Sequence, residues 1–535
     1  MHTDLSQKTD TTTCSAKIAP AFFFHAGNTP DKPAICCDGT TITYSELATH
    51  VCRWSNVLAK NGVRRGDHIG VILPNSIEFI ALMLVAADVG AVLVPLNTSL
   101  TPSAIHKAFE AAEVKHVVST AALLKNLLTK SSAAMDCSIL PDFSMTDGLW
   151  LSVDERIKGA TLLADLLKDV PLNALPLNTA HEEDAFILTM TSGSTGDPKP
   201  IILTQRTKFN RAHAAAELYG LTEEDRTLAA TPLYHSLAER LVLIPLLTGG
   251  TSVLMPAFSP TAWLECVSKQ NATFTIAVSS QLKLIAGLLD EQDAIRRYDI
   301  SSLRCIVSSS ALLDQQVKFD LISKFDCEFH ECYGASEIAI ATNLDSISAK
   351  TKLQSVGLPA PGIDIKIIDK NGTIVDKGDA GEIVCKTPML FGGYFKRPEL
   401  TRAAMWGDYF RTGDMGRMDE DGFLYFLGRT KDIIISGGIN IYPADIEAAV
   451  NEHTSVMESA AFAFPDERLG EVVAIAVVPV NKTEFDLRQL RFHCCEHLAD
   501  FQQPRKFFVV EELPRNSMGK LMKFELSKKF SATTS

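Results

Sequence analysis

Between Thr191 and Lys199 the chain reads Thr-Ser-Gly-Ser-Thr-Gly-Asp-Pro-Lys. Gly193 and Gly196 lack a Cβ, so backbone N–H groups can approach phosphate oxygens. Thr191, Ser192, Ser194 and Thr195 add hydroxyl donors, and Lys199 adds positive charge. The P-loop pattern needs Gly-x4-Gly-Lys followed by Ser or Thr, whereas here the two glycines are three apart and Asp-Pro precedes the lysine. A plain hydroxyl-rich turn has the same composition, so the loop alone leaves phosphate binding and simple connection both open. Four further stretches carry reactive side chains in fixed order: Tyr333-Gly-Ala-Ser-Glu337, Arg411-Thr-Gly-Asp414, Gly428-Arg429 and Pro514-Arg-Asn-Ser-Met-Gly-Lys520.

With these five motifs in this order and spacing, the sequence resembles the acyl-adenylate-forming superfamily, in particular its acyl-CoA synthetase branch. The resemblance runs from about Phe22 to Lys528. It implies an acid:CoA ligase that activates a carboxylic acid as its acyl-adenylate with ATP and Mg²⁺, then transfers the acyl group to coenzyme A. Thr191, Ser192, Gly193, Ser194, Thr195, Gly196 and Lys199 would bind the phosphates. Ser310, Ala311, Tyr333, Gly334 and Ser336 would line the nucleotide site, and Glu337 would be the Mg²⁺ ligand, a hard oxygen donor suited to that ion. Asp414 matches a ribose-binding aspartate, whose carboxylate can accept from both ribose hydroxyls. Arg429 would lie near ribose and phosphate.

Lys520 matches the family's catalytic lysine. Attack of a carboxylate on the α-phosphate brings two anions together, and a mobile ammonium between them stabilises the transition state. Lys431 occupies the hinge position. Gly437 and Gly438 match the stretch that passes the pantetheine arm of CoA. His235 matches a position beside the acyl group and adenylate, followed by Ser236, Leu237 and Leu241 as pocket wall. That wall is mostly apolar and suits an aliphatic or aromatic monocarboxylate. Glu239 and Arg240 lie on the same helix start and read as a solvated ion pair on ordinary burial statistics, or as partners of a second polar group on the acid if they face inward. Two departures stand out: Pro200 follows Lys199 where a small residue is usual, and Ser309-Ser310-Ala311 replaces a Gly-Gly-Ala-like stretch.

The elements that must position these residues follow a β-then-α rhythm. Asp38-Gly39-Thr40 marks a hairpin, and Ser45 to Leu58 carries helical spacing. Strands near residues 68–73, 91–95 and 115–118 alternate with helices over 76–89 and 102–112. The rhythm resumes from Ala185 through strands near Thr227, Thr251, Thr273 and Leu303. Such alternation predicts parallel α/β sheets. From Ser355 to Phe426 the spacing shortens around Asp-Gly turns into a small β-rich unit. The last hundred or so residues read as a compact α+β domain. The expected organisation is a loose leader over 1–18, an adenylation domain over 19–428, a hinge over 429–431 and a mobile C-terminal domain over 432–535.

At 535 residues, 46% hydrophobic and 21% charged, the chain has ample apolar material for several cores. A net charge of −13 without a Lys/Arg block argues against a nucleic-acid partner. No apolar run reaches the ~20 residues a membrane span needs. Twelve scattered cysteines without a Cys-x-x-Cys pair suit a reducing, cytoplasmic setting. Cys327, His330 and Cys332 fall in an expected short strand, and His493, Cys494, Cys495 and His497 lie on a helical pattern without zinc-site spacing, so neither cluster is read as a metal site. An adenylate ligase loading a carrier protein would keep the same motifs. A non-catalytic nucleotide sensor would be expected to lose Lys520 or Glu337, and both are present.

Overall fold

Element boundaries follow from local chemistry in the computed structural model, which describes residues 16–133, 148–192, 198–289, 297–437, 439–516 and 521–531. The chain divides into two units, Met1–Thr275 with Met389–Thr401 and Ile276–Pro388 with Arg402–Ser535.

In the first unit α1 (Ile18–Asn28) precedes a hairpin of β1 (Pro33–Cys37) and β2 (Thr40–Thr43). Asp38 and Gly39 turn it with φ of 47° and 76°, the mirror-image turn that matches strand twist. α2 (Tyr44–Lys60) opens on a capping box: the Thr43 hydroxyl accepts from the Glu46 N–H while the Glu46 carboxylate accepts from the Thr43 N–H. There follow β3 (His68–Ile72), α3 (Ile77–Val89), β4 (Val92–Pro95), α4 (Pro102–Ala111), β5 (His116–Ser119) and α5 (Ala121–Ala133). Next come β6 (Trp150–Ser152), β7 (Thr161–Leu162), α6 (Leu163–Leu167), β8 (Ala185–Ser192) and β9 (Pro198–Thr204).

These strands form a sheet of order β7-β6-β5-β3-β4-β8-β9, parallel except for the antiparallel pair β8–β9. Ile72, Val94, Phe109, Leu124 and Leu188 fill the core on one face. α7 (Gln205–Leu218), β10 (Arg226–Ala229), α8 (Ser236–Thr248), β11 (Thr251–Leu254) and α9 (Pro260–Gln270) complete the unit with the first residues of β12 (Phe274–Val278). β10, β11 and β1 run parallel, β2 closes antiparallel on β1, and Phe274 and Thr275 pair with Thr227 and Leu228.

The second unit carries β13 (Cys305–Ser309), β14 (Glu328–Ala335), β15 (Ala339–Asp345) and β16 (Leu358–Pro359). β13 and β14 are parallel and the remainder antiparallel. The short-spaced region becomes an antiparallel sheet of β17 (Asp364–Ile368), β18 (Gly381–Lys386), β19 (Met405–Trp406), β20 (Tyr409–Met418) and β21 (Leu424–Arg429). The C-terminal α+β part contains β22 (Ile434–Ser436), β23 (Ile439–Ile441), β24 (Val456–Asp466), β25 (Gly470–Pro479) and β26 (Lys506–Val509). Helices Pro443–Asn451 and Leu487–His497 supply Ile446, Val450 and Leu490 to a core shared with Ile434 and Ile475. The expected architecture of parallel α/β sheets, a β-rich unit and a smaller α+β part is the one observed.

Cys36, Cys37, Cys52, Cys305, Cys332, Cys385 and Cys494 are buried. Burial pushes the Cys385 thiol up to about 12, which makes it a packing residue and not a nucleophile. No helix among the described residues is long and apolar enough to cross a membrane.

Candidate active site

In the second unit three motifs meet. Asp414 on β20 stands directly across the ladder from Arg429 on β21, with Arg429 Nε 3.3 Å from Asp414 Oδ1. The Tyr333 hydroxyl, from β14, donates to Asp414 Oδ2 at 2.8 Å. Tyr333 and Asp414 are both buried. Burial and the adjacent carboxylate push the Tyr333 phenol well above its ordinary value, so it stays a donor at any physiological pH. The Asp414 N–H donates to the Thr412 hydroxyl, which in turn donates to the Ile383 carbonyl. The aspartate is thus held from three directions, and a carboxylate has acceptor capacity beyond these contacts.

Tyr333 leads into the 336–338 turn that joins β14 to β15, and this turn carries Ser336 and the half-buried Glu337. Glycine is required at 334, because a Cβ there would lie 1.8 Å from the Ala339 carbonyl oxygen across the tight hairpin.

A second turn, 309–313, follows β13. The Ser279 hydroxyl donates to the Ala311 carbonyl at 2.5 Å, and the Leu313 N–H donates to Glu331 Oε1 at 2.9 Å. Glu331 is buried and ion-paired to buried Lys318 at 2.5 Å, and Lys318 also donates to the Leu353 carbonyl. Burial pushes the Glu331 carboxyl up, opposed by the lysine. Ser279, Lys318 and Glu331 were missed by sequence reasoning, since no motif marks pairs that meet only in space.

Ser310 has φ of 76°, in the left-handed region. Its replacement of a glycine-like position therefore costs backbone energy of about 1–2 kcal/mol. Ser310→Gly will raise stability by about 0.5–1 kcal/mol, the strain relief being partly offset by the greater chain entropy of unfolded glycine. The urea midpoint checks this.

In the first unit β8 and β9 pair Thr191 with Lys199 and Ser192 with Pro198. The predicted phosphate-loop residues Gly193, Ser194, Thr195 and Gly196 lie outside the described residues. Pro200 is accommodated in β9, paired with Met190.

His235 is the N-cap residue of α8 and makes no capping bond. The loop leading to it is fixed by Asn75, another residue missed from sequence: its Oδ1 accepts from the Leu233 N–H at 2.7 Å, while its Nδ2 donates to the Thr231 and Met255 carbonyls. Burial alone brings the His235 pKa down to about 4. The folded value lies below the unfolded one, so stability is complete above pH 6.5 and falls as pH drops toward 4. At pH 4.5 the loss from this group is about 2.5 kcal/mol. His235→Gln will remove that part of the acid sensitivity, measured as the difference in unfolding free energy between pH 7 and pH 4.5.

Ser236 is half-buried, and Leu237 and Leu241 are buried along α8. The solvated reading of Glu239 and Arg240 is overturned. Both are buried, at 0% and 8% exposure, and Glu239 pairs with Lys208 of α7 at 2.6 Å, not with Arg240. α8 is apolar nearly all round and lies inside the unit, so its polar residues go in with it.

Lys431 is exposed in a short 3₁₀ turn, Thr430–Asp432. Gly437 has φ of 57° and donates its N–H to the Leu469 carbonyl. Gly438 and Lys520 lie outside the described residues, although the backbones on either side of Lys520 are tied by an Arg515–Leu521 bridge. Of the Cys/His clusters, Cys494 is buried and Cys495 exposed, while His493 and His497 bring possible ligand atoms within 4.8 Å of one another and of Glu452.

The model of the AMP-binding enzyme family matches residues 22–395, and that of the AMP-binding enzyme C-terminal domain matches residues 445–520. A long-chain-fatty-acid–CoA ligase of Mycobacterium tuberculosis is 30% identical over 92% of this chain and 94% of its own length. A feruloyl-CoA synthase of Amycolatopsis sp. is 31% identical over 94% of this chain and 96% of its own. Among solved structures, an amide bond synthetase from Marinactinospora thermotolerans superposes with a TM-score of 0.84 at 28% identity, covering 96% of this chain and 99% of that one. With its sequence motifs, its fold and these matches in agreement, the chain belongs to the AMP-binding enzyme family, within the adenylate-forming superfamily.

Proposed function

We propose that the protein is an AMP-forming acid:CoA ligase working in two steps. In the first, a carboxylate oxygen of the acid attacks the α-phosphorus of ATP, the bond to the pyrophosphate oxygen breaks, and acyl-AMP and pyrophosphate result. In the second, the CoA sulfur attacks the acyl carbon, the carbon–oxygen bond to AMP breaks, and the thiol proton leaves to solvent. The Tyr333–Asp414–Arg429 arrangement carries this reading: a buried, oriented carboxylate beside a guanidinium suits a ribose with its phosphate.

In this scheme Asp414 binds the ribose, Arg429 the ribose–phosphate side, and the 191–196 loop with Lys199 the phosphates. Ser310, Ala311, Gly334 and Ser336 complete the nucleotide site. His235 stands neutral beside the acyl group, and Lys520 stabilises the transition state. Gly437 and Gly438 pass the CoA arm.

Glu337 and the adjacent Ser336 hydroxyl are hard oxygen donors and fit Mg²⁺, which would neutralise phosphate charge when bound. Residues 19–428 and 432–535 act as the two working domains with 429–431 as hinge, and the enzyme operates in the cytoplasm.

The test is pyrophosphate release across aliphatic, aromatic and dicarboxylic acids, with and without CoA. Acid-dependent release accompanied by acyl-CoA is expected. Release with no acyl-CoA formed would sink CoA as the acceptor, and no release with any acid would sink the ligase reading.

A further inference from the structure

The interior of the first unit holds an unbalanced cluster of charges. Lys208 and Arg211 of α7 and Glu239 and Arg240 of α8 are 0–8% exposed, so three cations and a single carboxylate are withdrawn from water together. Two of the cations are accounted for. Lys208 is paired with Glu239, and Arg211 donates through Nε and Nη2 to the Met389 carbonyl at 3.1 and 2.9 Å. Arg240 forms no hydrogen bond or ion pair among the described residues, and its Nε is sealed from solvent without an acceptor. The field it feels is adverse as well, since Arg240 and Lys208 repel one another. A buried guanidinium left in that state is strongly destabilising unless an anion reaches it in the working protein.

Helix geometry says where such an anion would come from. At 3.6 residues per turn Arg240 projects about 40° from Ser236 and about 60° from Leu237, between the two. Ser236 and Leu237 belong to the stripe assigned to the acyl pocket. Glu239 lies about 60° to the other side of Ser236, where it meets Lys208. Arg240 therefore shares a face with the pocket wall, one turn or about 6 Å further along α8 than Ser236. Lys208 engages Oε2 of the neighbouring carboxylate, and among the described residues no ion pair joins Glu239 to Arg240.

We propose that Arg240 is a specificity-determining residue which binds a second carboxylate, remote from the reacting one, so that the ligase takes a dicarboxylic acid. This rests on the acid:CoA ligase reading of the same site. Guanidinium and carboxylate match as a two-pronged pair, and their bond gains strength away from water. A monocarboxylic acid would leave Arg240 buried and unanswered. Discrimination of this kind exceeds what apolar contacts provide.

The experiment compares straight-chain diacids from glutarate to sebacate with the monoacids of equal carbon count, in wild type, Arg240→Met and Arg240→Lys. The readout is kcat/KM for pyrophosphate release. The wild-type ratio of diacid to matched monoacid should exceed unity at one chain length at least. Arg240→Met should lower that ratio about 100-fold, mainly through KM for the diacid, and Arg240→Lys should recover part of it.

A ratio unmoved by Arg240→Met, or a wild type that prefers monoacids at every length, overturns the assignment while leaving the ligase intact. If no acid of either kind supports release, the ligase reading falls by itself. Diacid-dependent thermal stabilisation of wild type, reduced in Arg240→Lys and absent in Arg240→Met, would still uphold the anion site, and its absence in wild type would remove it. Should Arg240→Met not fold, Arg240→Gln replaces it in both measurements.

Discussion

Lys318→Met will cost about 3–5 kcal/mol of stability at neutral pH, far more than an exposed lysine would. Lys318 and Glu331 are both almost wholly buried and lie 2.5 Å apart. Removing the ammonium leaves a carboxylate in the interior, held among the described residues only by the Leu313 N–H. The group then has two outcomes, to remain charged at high cost or to take a proton.

Because burial already raises the Glu331 pKa, the variant's folded value stands further above the unfolded one. Its deficit is therefore smallest near pH 4–5 and grows as pH rises through the folded pKa. Lys318→Met/Glu331→Gln should recover most of the loss, since a glutamine oxygen still accepts from Leu313 and no charge remains buried. Urea denaturation of the three proteins at pH 5 and pH 8 decides the matter. A single variant within about 1 kcal/mol of the parent at both values would show that the pair does not hold the 309–313 turn as argued.

The pair also marks where sequence stops being informative. Strands and helices of the α/β regions were legible because period-2 and period-3.6 spacing alternate with little ambiguity, and their starts carry caps such as Thr43, Ser76 and Ser259. α1 was not, because Pro20 and three consecutive phenylalanines hide its period, although Ile18, Ala19 and Phe22 are buried. Proline in the first turn is tolerated, as its missing N–H has no helical partner there. Motif residues were legible when each carries its own chemistry: Tyr333 and Asp414, 81 positions apart, are in contact.

Positioning residues were not legible. Asn75 fixes the loop before His235 by two bonds to its backbone and ties it to Met255 by a third, and an asparagine in a turn carries no sign of that role. Burial of charge was misread for a related reason. Glu239 and Arg240 follow each other on one helix, which suggests a surface pair, but successive residues on a helix point about 100° apart and do not face one another. Glu239 found its partner in Lys208 of another helix, while among the described residues Arg240 has none and the excess positive charge stays with it.

The other large effect separates the two chemical steps. Lys520→Ala should slow acyl-adenylate formation about 1,000-fold, comparable to removing a preorganised donor from a developing anion. Attack by a carboxylate on the α-phosphorus is opposed by charge throughout, and in the role proposed for Lys520 the ammonium relieves that repulsion only as the atoms approach; kcat should therefore fall with little change in KM for ATP. Transfer from acyl-AMP to CoA has a different demand, since the acyl carbon is already activated and AMP leaves as a stabilised anion. Supplied with synthetic acyl-adenylate, the same variant should form acyl-CoA within a few-fold of the parent rate.

Asp414→Ala provides the contrast. It removes the acceptor oriented by Tyr333 and Arg429, so its defect should appear in KM for ATP and be partly overcome at high nucleotide. If Lys520→Ala lost both half-reactions equally, the lysine would be holding the fold of its loop, and the transition-state role would have to be given to another cation.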